Sequence, residues 1–203
     1  EQQHRMTPRY FLITGLPRSR TAWLANLFTT GRVFCFHDAS RMVKNIPSLQ
    51  EVVHESRVDA DFIGTSDNGI TLMPGALSWY MERDVETPVV VVRRPVDEVR
   101  RSLHAFHGKG NIPQSLLDLS LEKAVAGLDL IQGGTNSMVV RYSDLDSVVA
   151  LEAMWEHLIP GIPFDIQRAA HLRSFDVQLR QPWYDKGFSQ EFVQMVNSIV
   201  RGG

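Results

Sequence analysis

The chain has 203 residues, of which 43% are hydrophobic and 22% charged, with a net charge of −2. These values fit one soluble domain with a sizeable buried core, and the near-neutral balance gives no global pull towards nucleic acid or an anionic membrane. The single cysteine, Cys35, excludes an internal disulfide, fits a reducing, cytoplasmic compartment and reads as a small buried apolar residue.

No apolar run reaches the length of a membrane span, and the polar start of the chain lacks the apolar stretch of a signal peptide. Residues 1–9 read as a disordered or appended stretch, and residues 10–203 as one α/β domain. Phe11–Thr14 is the first predicted strand and Thr21–Phe28 a helix apolar on most faces. Val33–Phe36 is a second strand, followed by His37 and Asp38, and Met42–Ile46 reads as a short helix. Ser48 and Glu51 form a capping box that starts a further helix to about Glu55. Phe62–Gly64 is a third strand, after which Thr65–Gly69 reads as a polar turn. Pro74 and Ala76–Arg83 form a helix.

Val89–Val92 does not alternate, so it predicts a strand covered on both faces, as in a parallel sheet. Arg93, Arg94 and Pro95 follow, and then a helix from Val96 to about Phe106. His107–Pro113 reads as a glycine-containing loop and Leu116–Ile131 as a long helix ended by Gly133 and Gly134. Met138–Val140 is the last strand. Helices follow at Val148–Leu158, at Ile166–Arg173 with Asp165 as its cap, and at Glu191–Arg201, and Trp155, Phe164 and Phe175 read as core. Strands separated by helices imply parallel βαβ units and a three-layer α/β sandwich, with ligands bound beyond the carboxyl ends of the strands.

The polar residues collect at those ends. The stretch Gly15-Leu16-Pro17-Arg18-Ser19-Arg20-Thr21-Ala22 joins the first strand to its helix and pairs cations and hydroxyls with a helix N-terminus, which suits a phosphate. It is not a Walker A loop. Counted from Gly15, the second glycine falls on Arg20 and the lysine on Thr21, so the apparatus for Mg²⁺-dependent nucleotide hydrolysis is missing.

Pro17–Trp23 resembles the 5′-phosphate loop of the PAPS-dependent sulfotransferases. Arg93-Arg94-Pro95-Val96-Asp97 with Ser102 resembles that family's 3′-phosphate motif, and Val139–Leu145 its later Val-x-Arg-Tyr-Glu-Asp-Leu segment. The resemblance implies a P-loop-type fold with a mostly parallel sheet, in a short member of bacterial or phage type. It also implies sulfuryl transfer from PAPS to a hydroxyl or amine acceptor, with PAP as product and no metal. The nucleotide would be held by Gly15, Pro17, Arg18, Ser19, Arg20, Thr21, Ala22, Ser102 and one of Arg93 and Arg94. The interval from Arg94 to Ser102 matches the family's, whereas Arg93 lies one residue further away.

Arg20 stands where the family usually has Gly, and Ala22 where Thr is frequent. No clear copy of the family's closing Arg-Lys-Gly stretch occurs; Lys186-Gly187 echoes it, and Arg173 and Arg180 are candidate substitutes. Sulfuryl transfer needs charge stabilisation, for which Arg18 is placed, and a base, for which His37 and Asp38 are the candidates. The alternatives are a P-loop nucleotide or small-molecule kinase and a non-catalytic nucleotide-binding module. His104 and His107 share a helical face but lack a third ligand, so a zinc site is not expected, and they are candidates to line the acceptor pocket. The acceptor itself is not encoded in a recognisable motif.

Overall fold

The structure, a computed structural model, describes residues 8–42, 60–72, 87–107, 112–134 and 136–174. The predicted helices after Ser48, at 74–83 and at 191–201 lie outside the described residues, as do Phe175, Arg180, Lys186 and Gly187.

Among the described residues, five strands form one parallel sheet: β1 (Arg9–Gly15), β2 (Val33–His37), β3 (Phe62–Asp67), β4 (Val89–Arg93) and β5 (Ser137–Arg141), in the order β2-β3-β1-β4-β5. The helices among the described residues are α1 (Thr21–Leu27), α2 (Val96–His107), α3 (Gln114–Gln132), α4 (Val148–Leu158) and α5 (Ile166–Arg173). One-turn 3₁₀ helices follow β2 (Ala39–Met42), β3 (Ile70–Leu72) and β5 (Tyr142–Asp146).

The strands are longer than their apolar stretches. β1 opens at Arg9, one residue before the expected start of the domain, and Arg9 stacks its guanidinium on the Phe62 ring. β3 corrects the sequence reading more sharply. Thr65, Ser66 and Asp67, read as a turn, are fully enclosed strand residues. They continue the ladder because β3 lies between β2 and β1, which takes up their backbone groups whatever their side chains are.

The two faces of the sheet follow from alternation along the strands. Leu12, Phe34, Phe36, Ile63, Val89 and Val91 pack against α2 and α3. Phe11, Ile13, Val33, Cys35, Phe62, Val90 and Val92 pack against α1, α4 and α5. The four valines of β4 are therefore buried on both sides, as their lack of alternation predicts. On the second face Phe28 stacks on Trp155 with ring centroids 5.0 Å apart, and Trp155 meets Phe164 edge-on at 5.5 Å. Gly64 is required here, because a Cβ would lie 2.3 Å from the Phe11 ring.

α1 is short but well anchored. Arg168 of α5 donates to the carbonyls of Leu27 at 3.2 Å, Asn26 at 2.5 Å and Thr29 at 2.5 Å, placing a cation on the negative end of the helix. Burial pulls the Arg168 pKa below the usual arginine value, against the opposing charge of Asp165. The Trp23 indole donates to the Leu172 carbonyl at 3.1 Å. The helix that follows the β1 loop is thus fixed from behind.

Candidate functional site

β1 is the central strand, so the loop after it is flanked by the ends of β3 and β4. Gly15, its last residue, could not carry a Cβ, which would lie 2.9 Å from the Val92 carbonyl oxygen. Beyond Pro17, Arg18 and Arg20 both adopt left-handed backbone, with φ 66° and 60°. Such conformations are costly for residues with a side chain and cluster at sites where the surroundings impose them. The turn they make delivers Ser19 into the interior. Its Oγ is fully buried and has no hydrogen-bond partner among the described residues. An enclosed hydroxyl of this kind is costly unless a ligand or water completes it.

Arg18 lies along α2. Its Nε donates to Ser102 Oγ at 3.4 Å, and its guanidinium sits 4.6 Å from the centre of the Phe106 ring, one helical turn further on. The arginines after β4 diverge. Arg93 turns to α3, where it pairs with Gln132 at 2.7 Å and with Asp129. Arg94 turns to the β1 loop, donating to the Arg18 carbonyl at 2.5 Å while its guanidinium covers the Tyr142 ring at 4.3 Å. Glu98, one turn on, pairs with Arg94 at 3.4 Å. Adjacent residues at a strand end point to opposite faces, which is why only one of the pair reaches the loop. The structure thus brings Arg18, Arg94 and Ser102 together, with Ser19 next along the loop, and turns Arg93 to α3.

Thr21, the first residue of α1, is buried, and its Oγ1 lies 3.3 Å from His37 Nε2 at the end of β2. Ala22 is half-buried, and its carbonyl accepts from Asn26 Nδ2. Asp38 adopts left-handed backbone with φ 50°, is almost wholly buried, and brings Oδ2 within 3.6 Å of His37 Nε2. Its Oδ1 accepts from the Asn68 amide at 3.3 Å. Next to it, Asp67 accepts from the Ser40 amide at 2.7 Å, the Ser40 hydroxyl at 2.6 Å and the Gly69 amide at 2.8 Å. Burial, and then the neighbouring Asp38 charge, hold the Asp67 carboxyl above the usual aspartate range despite those donors. Thr65 and Ser66 add buried hydroxyls without partners among the described residues to the same end of β3.

Other candidates are placed elsewhere. Cys35 lies inside the sheet, and burial pushes its thiol well above the usual range, the state of an inert core residue. His104 Nε2 lies 3.1 Å from Asp118 Oδ1. Among the described residues, no group of three or more His, Cys, Asp or Glu side chains is arranged to hold a metal ion, and no helix is long and apolar enough to cross a membrane. Arg173 donates to the Asp146 carbonyl at 2.7 Å.

Known structures share this architecture. A mouse sulfotransferase, SULT7A1, complexed with PAP matches with a TM-score of 0.56 and 13% identity, over 83% of this chain and 64% of its own. A sulfotransferase from Alicyclobacillus acidocaldarius matches with a TM-score of 0.51 and 9% identity, over 84% of this chain and 91% of that one. A sulfotransferase domain from the curacin biosynthetic pathway matches with a TM-score of 0.53 and 12% identity, over 95% of this chain and 92% of its own. The chain has the sulfotransferase fold. This chain spans slightly less than two thirds of the mouse protein. No protein-family model and no curated protein matches the sequence.

Sequence reasoning gives Phe106, Ser40 and Asp146 no role of their own. Phe106 was findable, since it lies four residues after Ser102 on one helical face. Asp146, which binds Arg20 from 126 positions away, carries no local signal.

Proposed function

We propose that this protein transfers a sulfuryl group from PAPS to a hydroxyl or amine acceptor. The observation that carries the reading is the meeting of Arg18, Arg94 and Ser102 beyond the ends of β1 and β4, in a loop whose next residue, Ser19, encloses a hydroxyl without a partner among the described residues. Two basic loops joined in this way suit an anion with two separated phosphate groups. The PAP complex of the mouse protein of like fold supports that choice.

The residues present fit the nucleotide. Ser19 Oγ has an unmet capacity to donate, and Arg18 and Arg94 supply fixed charge. Gly15, Pro17 and Thr21 shape the 5′-phosphate loop; Arg94 and Ser102 suit the 3′-phosphate. When bound, PAPS supplies the sulfuryl group and leaves as PAP. Arg18 stabilises the charge that develops on the leaving phosphate, and, being an arginine, does so without giving up a proton. The His37–Asp38 pair receives the acceptor's proton, and the Asp38 carboxylate stabilises the imidazolium that forms. Thr21 Oγ1 meets the same ring nitrogen, Nε2, that faces Asp38 and so helps to orient the His37 ring. None of these roles requires a metal ion. A lone, inert Cys35 supports a reducing, cytoplasmic setting.

Incubation with labelled PAPS and a mixed panel of hydroxyl and amine acceptors tests the reading. Labelled product is expected with the wild type, and His37→Ala should abolish turnover while leaving PAP affinity nearly unchanged. A wild type that binds PAP and labels nothing across the panel would leave only a nucleotide-binding module.

A further inference from the structure

Arg20 is the residue of the β1 loop that fits an anion site least well. It is the N-cap of α1, a position that favours Ser, Thr, Asp, Asn or Gly, and its side chain makes no capping bond. It also holds left-handed backbone, φ 60° and ψ 26°, which a glycine adopts freely and an arginine does not. Its guanidinium is not directed along α2 with that of Arg18. It pairs with Asp146 at 2.7 Å and lies 5.1 Å from the centre of the Tyr142 ring.

Tyr142 and Asp146 are the two ends of the 3₁₀ turn after β5. That turn also receives Arg94 on the Tyr142 ring and Arg173 on the Asp146 carbonyl. It therefore touches both basic loops: the one after β1 through Arg20, and the one after β4 through Arg94. The charge of Arg20 is already matched by a carboxylate, on a side chain still about a third exposed.

We propose that Arg20 and Asp146 form a latch that holds the β1 loop in its anion-binding shape, making Arg20 a positioning residue and not a ligand. The ion pair offsets the cost of a side chain in left-handed backbone. Fixing residue 20 fixes the turn that buries Ser19 and lays Arg18 on Ser102. Because the same 3₁₀ turn carries the Tyr142 ring under Arg94, the latch also sets the spacing of the two loops. A glycine at position 20 would reach the same loop shape without a latch.

The affinity test rests on the nucleotide reading above and uses PAP as the probe in calorimetric titrations of the full chain. The latch predicts that Arg20→Ala and Asp146→Ala each weaken PAP binding about fivefold, the scale of a well-formed exposed ion pair. The double variant should bind no more weakly than either single one, and Arg20→Gly should recover most of the affinity lost in Arg20→Ala. If Arg20 were instead a ligand held back by Asp146, Asp146→Ala would tighten PAP binding and Arg20→Gly would be as weak as Arg20→Ala. Either result overturns the proposal.

Urea unfolding of the wild type, the two single alanine variants and the double variant does not depend on any ligand. The latch predicts that the two single substitutions lower the midpoint by amounts that do not add in the double variant. Additive shifts would overturn it. A wild type that fails to bind PAP would remove the nucleotide reading and leave the unfolding cycle as the test of the latch.

Discussion

The loops after β1 and β4 hold half-buried arginines, whereas those after β2 and β3 hold buried carboxylates. On the basic side Arg18, Arg20 and Arg94 lie over aromatic rings, and the acids that pair with them, Asp146 and Glu98, are themselves exposed. On the acidic side Asp38 and Asp67 are enclosed and bonded to the amides of Asn68, Ser40 and Gly69. Arginine keeps its charge in either setting, so its loops can stay open to a ligand. A carboxylate taken out of water needs several donors at once, so its loops must close around it. The basic side is therefore suited to gripping an anion that comes and goes, and the acidic side to holding one side chain, His37, in a fixed place.

Substitutions on the two sides should accordingly differ in kind, stability being lost on one and affinity on the other. The largest effect is expected from Asp67→Ala, which leaves the Ser40 amide, the Ser40 hydroxyl and the Gly69 amide without their acceptor. It should cost about 3 kcal/mol or more in chemical denaturation, since each orphaned buried donor is worth roughly 1–3 kcal/mol. An unchanged unfolding midpoint would break the contrast.

Next in size, Arg94→Ala should weaken PAP binding about 10- to 100-fold, on the scale of a lost charged hydrogen bond, and should lower stability by less than Asp67→Ala does, through the lost bond to the Arg18 carbonyl. Arg93→Ala, which removes the contacts to α3 seen among the described residues, should weaken PAP binding far less. Equal losses from the two would show that the side chains are not sorted by face.

Arg168→Ala should lower stability by about 1–2 kcal/mol by uncovering the last carbonyls of α1. It should affect PAP affinity only secondarily, because it acts on the end of α1 remote from the loop.

The smallest effect is a pH dependence. The folded chain holds the Asp67 proton more tightly than the unfolded chain does, because burial and then Asp38 raise its pKa. The stability this contributes is fully present below the unfolded value, at about pH 4, and is lost as pH rises through the raised folded value. Measured against Asp67→Asn, which cannot titrate, the wild type should lose relative stability from about pH 4 upwards and then level off. A difference that is flat over that range would mean that Asp67 is not perturbed.

Much of this contrast is legible in the sequence, and what is not has identifiable causes. The valine run of β4 and the Asp165 cap of α5 are local signals, and both elements form as expected. The polar end of β3 misleads because Thr65, Ser66 and Asp67 have the composition of a turn. Their strand character comes from β1 and β2 on either side, which no window along the chain can see. The choice between Arg93 and Arg94 is likewise settled by partners on other elements, Asp129 and Gln132 for one, Tyr142 and the Arg18 carbonyl for the other. Arg20 reads as an added cation because its partner Asp146 lies beyond the last strand.

The most direct test of the central claim is calorimetric titration of the full chain with PAP, set beside ATP with Mg²⁺. PAP should bind without metal and more tightly than Mg²⁺-ATP, and Arg18→Ala and Arg94→Ala should both weaken it. No binding of PAP, or tighter binding of Mg²⁺-ATP, would contradict that claim.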